Sequence, residues 1–410
     1  MTHTLNRYRS YRPRTPAARY TATAAASAAA LPADLTAADG FTVGLEEELF
    51  LVDATTLDCV ETMPPAFHLE AKAALGEHVK REIISSMVEI ITAPHAKLAS
   101  VGEELVRMRA ILAEVARHHG LALLACGTHP FSDWRVQTMT PKPRYDLVAG
   151  ALGELHKRVH LCGLHIHVAL PDPAQRISVM NRAQQFLPLF LALSTSSPFW
   201  RGASTGLKSY RSAANDETPR TGFPTRFANT SEFDRYVGKL TAAGFIPDQT
   251  FLWWAIRPSL KYPTLELRIA DCCTDWRDAI AIAALYRCLV HALVGDPSIG
   301  AVWENHHYLV NNENRWQAIR YGLAAQMLDP DGGPTRSVAE RTLELVEWLR
   351  PSADALGCVM ELEDVTRILA HGTSAELQTA VFERAVAGGA CHEEAVRTVA
   401  AGIAAMTLAA

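Results

Sequence analysis

Apolar and polar residues alternate strictly along several short runs of the chain. In Val43-Gly-Leu-Glu-Glu-Glu-Leu-Phe-Leu51, Leu45, Leu49 and Leu51 share one parity while Glu46 and Glu48 share the other. Successive strand side chains point to opposite faces, so this run predicts a strand with one carboxylate-bearing face. Glu47 falls on the apolar side. It must pair with a cation, sit at a sheet edge, or contradict the strand. Cys162-Gly-Leu-His-Ile-His-Val-Ala-Leu170 repeats the pattern. His165 and His167 share a face with Gly163 and Ala169, and Leu164, Ile166, Val168 and Leu170 form the opposite one. In Thr264-Leu-Glu-Leu-Arg-Ile-Ala270, Glu266 and Arg268 oppose Leu265, Leu267 and Ile269. A fourth run, residues 85–92, sets Glu89 inside an apolar strand, and Glu82 falls on its entry turn. An antiparallel sheet with one face on the core produces this alternation.

The rest of the chain divides by character. Residues 41–271 mix strand-like and helical stretches, with one more apolar strand at 121–125. Residues 275–410 read as almost wholly helical, with helices over 278–294, 314–327, 337–349, 362–370 and 374–387. Ser374 followed by Glu376 marks a helix start, and residues 328–334 form a Gly/Pro/Asp breaker. The fold class is α+β, with no repeat and no flexible linker, so residues 41–410 are expected to form a single domain. Residues 1–33 contain no acid and five arginines, then an Ala-rich run. That start resembles an organelle transit peptide, but residues 1–40 are read as a disordered extension outside the fold.

Composition narrows the function. The 410 residues are 49% hydrophobic and 20% charged, enough for a large core without disulfide or metal staples. Thirty-nine basic against 44 acidic residues give a net charge of −5, which argues against a nucleic-acid partner. Eight cysteines without a C-x-x-C pair fit reduced thiols in a cytoplasmic protein. No stretch approaches the roughly 20 apolar residues of a membrane span. The chain has neither a G-x-x-x-x-G-K-[ST] phosphate loop nor H-E-x-x-H.

Ordinary solvent faces of strands carry Thr, Lys, Ser and Gln, whereas these carry Glu, His and Arg. Several carboxylates on one face repel one another unless cations lie between them. Magnesium suits such oxygen donors, and a histidine among them would suit manganese as well. His165 and His167 alone would suggest a metal-dependent hydrolase, but that reading wants regular βα alternation afterwards.

Several motifs then occur in one order: Gly44-Leu-Glu-Glu-Glu48, Glu82-Ile-Ile-Ser-Ser-Met-Val-Glu-Ile-Ile-Thr92, Gly127-Thr-His-Pro-Phe131, Gly163-Leu-His-Ile-His167, Ser196-Ser-Pro-Phe-Trp200, Gly206-Leu-Lys-Ser-Tyr-Arg211, Arg257-Pro-Ser259 with Leu265-Glu-Leu-Arg268, and Asn312-Glu-Asn-Arg-Trp316. Together they resemble the YbdK-like carboxylate–amine ligases, the type 2 glutamate–cysteine ligase family, over about residues 41–400. The resemblance implies a glutamine-synthetase-like fold: a curved, mainly antiparallel sheet with helices on its outer face, ahead of the helical C-terminal half. It implies ATP, Mg²⁺ and amino-acid substrates, and suggests a homodimer. The metal carboxylates would be Glu46, Glu48, Glu82, Glu89 and Glu266, joined by His165. Arg268 would face the phosphoryl group or the substrate carboxylate beside Glu266, and His167 has no certain counterpart.

Arg211, Arg220 and Arg257 are further anion-binding candidates for the nucleotide, because turn residues around Arg211 and Arg220 suggest loops over the site. Trp253 and Trp254 are expected to pack rather than stack on a base. Thr128 and His129 sit where a site loop begins. The expected activity is ATP-dependent amide formation, glutamate with cysteine as the default pair. The alternatives are the His165/His167 hydrolase and a nucleotide-binding protein without turnover.

Overall fold

The computed structural model describes residues 40–408; residues 1–39, which hold nearly all of the expected extension, lie outside them. The strands are β1 (Val43–Asp53), β2 (Val79–Arg81), β3 (Met87–Ile91), β4 (Leu121–Leu124), β5 (Leu164–Ala169), β6 (Phe199–Trp200), β7 (Ala203–Ser204), β8 (Ile256–Pro258) and β9 (Thr264–Leu267). Seven of them make one sheet in the order β2-β3-β1-β5-β9-β8, with β4 pairing the far end of β1. Every pairing is antiparallel. All four polar-faced runs are strands of this sheet, so their period-2 pattern reports one shared surface.

The apolar parity is buried completely: Leu45, Leu49, Leu51, Leu164, Ile166, Val168, Leu265 and Leu267 are essentially inaccessible. Helices Leu98–His118 and Trp276–Gly295 pack against that side. Trp276–Gly295 is the one helix among the described residues long and apolar enough to cross a membrane, and most of it is buried inside the protein. Burial explains its composition, since a core helix is apolar all round.

The helical half follows the expected sequence of elements with shifted ends. Helix Ser374–Ala387 forms where expected, capped by Thr373 and Glu376. The expected helix over 314–327 instead spans Asn305–Tyr321. Glu304 and His307 cap its start, and Gly322 ends it with φ 56°, a left-handed conformation that favours glycine. Gln326–Met327 then pairs with Arg336–Ser337. Helix Val338–Leu356 runs through Pro351 and stops seven residues beyond the expected end at 349. The expected helix over 362–370 is two short ones, Val359–Glu363 and Val365–His371.

Candidate active site

Strand register sets the site. Glu46 on β1 lies opposite His165 on β5, and Glu48 opposite Glu89 on β3. His167 lies opposite Glu266 on β9, and Glu266 opposite Arg257 on β8. Antiparallel partners share a face, so carboxylates, imidazoles and guanidinium groups form rows across one surface. Glu82 reaches the same surface from the turn after β2. Glu46, Glu48, Glu82, Glu89, His165, Arg211, Arg257 and Arg268 line a cleft of about 300 Å³. The polar face continues only to Glu48; Phe50 is buried against His160 and His129.

The cleft is electrostatically divided. At one end Arg257 donates to Glu266 through Nε at 2.7 Å and Nη2 at 3.2 Å, and Arg268 Nη1 donates to the same carboxylate. Burial opposes ionisation of Glu266, but the charges of Arg257 and Arg268 outweigh it and hold the carboxyl far below the usual range. Beside it, Glu46 Oε2 lies 3.3 Å from His165 Nδ1 and Oε1 lies 3.4 Å from His167 Nε2. Burial raises the Glu46 pKa, yet hydrogen bonds and charge from the two histidines bring it well below the ordinary value.

The other end has too little positive charge. Burial, then the Glu48 carboxylate, push Glu82 up to about 7. Burial and the Glu46 charge push Glu89 well above its ordinary value, and Lys80 Nζ stands 3.7 Å away. Two ligand sets have donor atoms within 4.8 Å of one another: Glu46–His165–Glu266 and Glu48–Glu89–His165. His165 belongs to both. His167 belongs to neither; its Nδ1 is 3.0 Å from Thr264 Oγ1. Among the described residues no such set contains both imidazoles, although His167 Nε2 stands 3.4 Å from Glu46 Oε1 and 4.0 Å from Glu266 Oε1.

Gly163 serves the site in two ways that alternation alone did not mark. Its N–H donates to Glu48 Oε2 at 2.6 Å. A Cβ at this position would lie 2.2 Å from Arg211 Nη2, so the missing side chain is the space that the guanidinium fills. Arg211 also stands 3.8 Å from buried Asp271, which accepts from Ser196 N, Ser197 Oγ and Ser209 Oγ.

The other candidates divide between the cleft and its surroundings. Arg220 does not line the cleft; its Nε donates to Phe251 O at 3.0 Å and its guanidinium lies over the Trp253 ring. Trp253 is half-buried and lines the cleft, whereas Trp254 packs among Phe227, Phe233 and Tyr236. Thr128 and His129 are buried on the carbonyls of Phe199 and Leu57. Gly202-Ala-Ser-Thr-Gly206 spells G-x-S-x-G, but Ser204 is exposed on the β6–β7 hairpin, not on a strand-to-helix turn. Arg144, Tyr145 and Arg315 line the cleft without any periodic signal that would single them out.

The family model described as glutamate–cysteine ligase family 2 matches residues 42–401. The chain belongs to this family. A Rhodospirillum rubrum protein provisionally named glutamate–cysteine ligase 2 is 43% identical over 373 residues, covering 90% of this chain and 96% of its own. One from Bradyrhizobium sp. strain ORS 278, with the same name, is 43% identical and covers 83% of each chain. Among solved structures, glutamate–cysteine ligase from Francisella tularensis, in complex with AMP, superposes with a TM-score of 0.64 at 11% identity, covering 90% of this chain and 89% of that one. A bifunctional glutathione synthetase from Pasteurella multocida gives 0.65 at 13% identity, over 90% of this chain and 52% of that one. The fold is the expected α+β, glutamine-synthetase-like one, and this family member is an enzyme of the glutamate–cysteine ligase type, a carboxylate–amine ligase.

Proposed function

We propose that the protein joins the γ-carboxyl of glutamate to the amine of cysteine, with ATP as phosphoryl donor and Mg²⁺ as cofactor. The observation that carries this reading is the convergence of Glu46, Glu48, Glu89 and Glu266 on His165, in one cleft that Glu82, Arg257 and Arg268 also line. The raised pKa values of Glu82 and Glu89 fit a cation-binding role, because adjacent buried carboxylates ionise together only beside positive charge. Glu46, Glu48, Glu82, Glu89 and His165 would hold Mg²⁺, with Mn²⁺ accepted through the imidazole. Glu266 would share its carboxylate between such an ion and the two arginines. When bound, the metal screens phosphate from carboxylate and stabilises charge on the transferring oxygens.

The chain's own groups have definite tasks in this chemistry. A free carboxylate is a poor acyl donor, since its leaving group would be oxide. Attack by one carboxylate oxygen on the γ-phosphorus forms an O–P bond and breaks the bond to ADP. The amine nitrogen then attacks the carbonyl carbon of the acyl phosphate, inorganic phosphate leaves, and the nitrogen loses a proton. Arg268, locked by Glu266, presents a fixed guanidinium to the transferring group. Arg211, seated over Gly163, offers a second planar donor. The names of the bacterial relatives support the amino-acid pair, and the AMP in the Francisella tularensis enzyme supports an adenine nucleotide in this fold.

The test is ADP release with ATP, Mg²⁺, glutamate and cysteine, with γ-glutamylcysteine identified by mass. Product and stoichiometric ADP support the reading. ADP release with other amino-acid pairs alone would replace the substrates, and ATP binding without turnover for any pair would make the protein a nucleotide binder.

A further inference from the structure

Five guanidinium groups line the cleft, those of Arg144, Arg211, Arg257, Arg268 and Arg315. Four face acids. Arg257 and Arg268 hold Glu266, Arg211 lies 3.8 Å from Asp271, and Arg315 grips both oxygens of Asp216 at 2.8 and 2.6 Å. Arg144 forms no ion pair with a carboxylate among the described residues. Its Nη1 donates to Thr250 Oγ1 at 2.8 Å, and its Cζ lies over the Phe251 ring, 4.7 Å from the centroid. The side chain thus spans from helix Pro143–Leu152 to the turn Gln249–Phe251. A guanidinium carries five N–H donors in a planar fork that matches a carboxylate. One is used here.

The same helix grades the wall. Arg144, Val148 and Leu152 are spaced four apart and share one stripe. Arg144 is exposed, whereas Val148 and Leu152 are 6% and 8% exposed. A cation at the mouth above an aliphatic wall suits a molecule with a carboxylate on a short carbon chain. It does not suit a polyphosphate, for which Arg257 and Arg268 stand beside the candidate metal ligands.

We propose that Arg144 is a specificity-determining residue that binds the non-reacting α-carboxylate of an amino-acid substrate. This inference rests on the ligase reading of the same cleft. The donor and the acceptor both carry such a carboxylate, so the test has an arm for each. Wild type, R144Q and R144K are compared with glutamate against 4-aminobutyrate as donor, and with cysteine against cysteamine as acceptor. The expected result is a KM rise of about tenfold or more in R144Q for glutamate or for cysteine, the scale of one lost charged hydrogen bond. The kcat should change little, R144K should recover part of the loss, and the matching analogue without the α-carboxylate should not distinguish R144Q from wild type. The arm that moves assigns the substrate. Unchanged KM in both arms, or an equal rise for the analogues, overturns the proposal. Calorimetric titration of glutamate and of cysteine, with Mg²⁺ and a non-hydrolysable ATP analogue, separates this inference from the ligase reading. Binding weakened in R144Q upholds it even if wild type releases no ADP; equal binding to both proteins, or none to either, overturns it.

Discussion

Arg109 grips both oxygens of Glu47, with Nε and Nη2 each at 2.8 Å, inside the apolar face of the sheet. The carboxylate is fully inaccessible. The remaining donors of Arg109 reach the carbonyls of Cys273, Thr274 and Thr407, tying β1 to the helical half. A charge on the apolar parity is thereby satisfied by the helix that covers it.

Breaking this pair from one side leaves a buried charge. R109M should therefore lower unfolding free energy by roughly 3–5 kcal/mol. Adding E47L should recover part of the loss, because the orphaned carboxylate is gone, but not all, since three carbonyls stay unpaired. Urea midpoints of both single variants and the double variant test this. Equal losses in R109M and in the double variant would show that the carboxylate was not the source.

Glu46 and Glu266 should respond differently to amidation. Each of E46Q and E266Q should lower turnover by roughly 10²–10³-fold, the scale of single preorganised electrostatic contacts. Glu46 is partly accessible, so E46Q should melt close to wild type. Glu266 is 2% exposed and anchors two guanidinium groups, so E266Q should also melt lower. Full activity in both variants would remove these residues from the site.

Gly163→Ala tests the seat of Arg211. The new Cβ would meet the guanidinium, the movable end of a long side chain. The expected outcome is a small change in melting temperature with a several-fold rise in KM for ATP, matched in direction by R211A. A large loss of stability with unchanged KM would mean that the glycine serves packing alone.

Magnesium should stabilise the protein more as pH rises. Glu82 ionises near 7 instead of the ordinary 4.5, and Glu89 is shifted the same way. Across that window the metal-free folded protein keeps protons that the unfolded chain has lost, so these groups lower stability as pH rises. A divalent ion needs them ionised and displaces the protons. The difference in melting temperature between Mg²⁺ and chelator should grow from about pH 5 to pH 8. The difference cancels the separate acid sensitivity of His129 and His160, whose rings stay neutral in the fold down to about 4 and about 3. A shift that is largest at pH 5 would contradict the assignment.

Alternation in the sequence by itself determined which residues share a face. Glu46, Glu48, His165, His167 and Glu266 sit on one surface because a strand has a strict period of two, and the aliphatics of the other parity have nowhere to go but the core. It also marked Glu47 as a charge on the wrong parity, to be paired with a cation, set at a sheet edge, or taken against the strand. The partner was decided by tertiary structure: Arg109 is 62 residues away on a helix, and no local spacing points to it. The same holds for register, which set Glu46 against His165 and Glu48 against Glu89, and for the space that Gly163 leaves to Arg211. Helix ends moved where caps at Glu304 and Gly322 outweighed the apolar spacing. Arg144 and Arg220 each follow a proline, in Pro143-Arg144 and Pro219-Arg220. Arg144 sits in the first turn of a helix and lines the cleft while Arg220 braces Trp253, because where each segment packs depends on long-range contacts that a period along the chain does not encode.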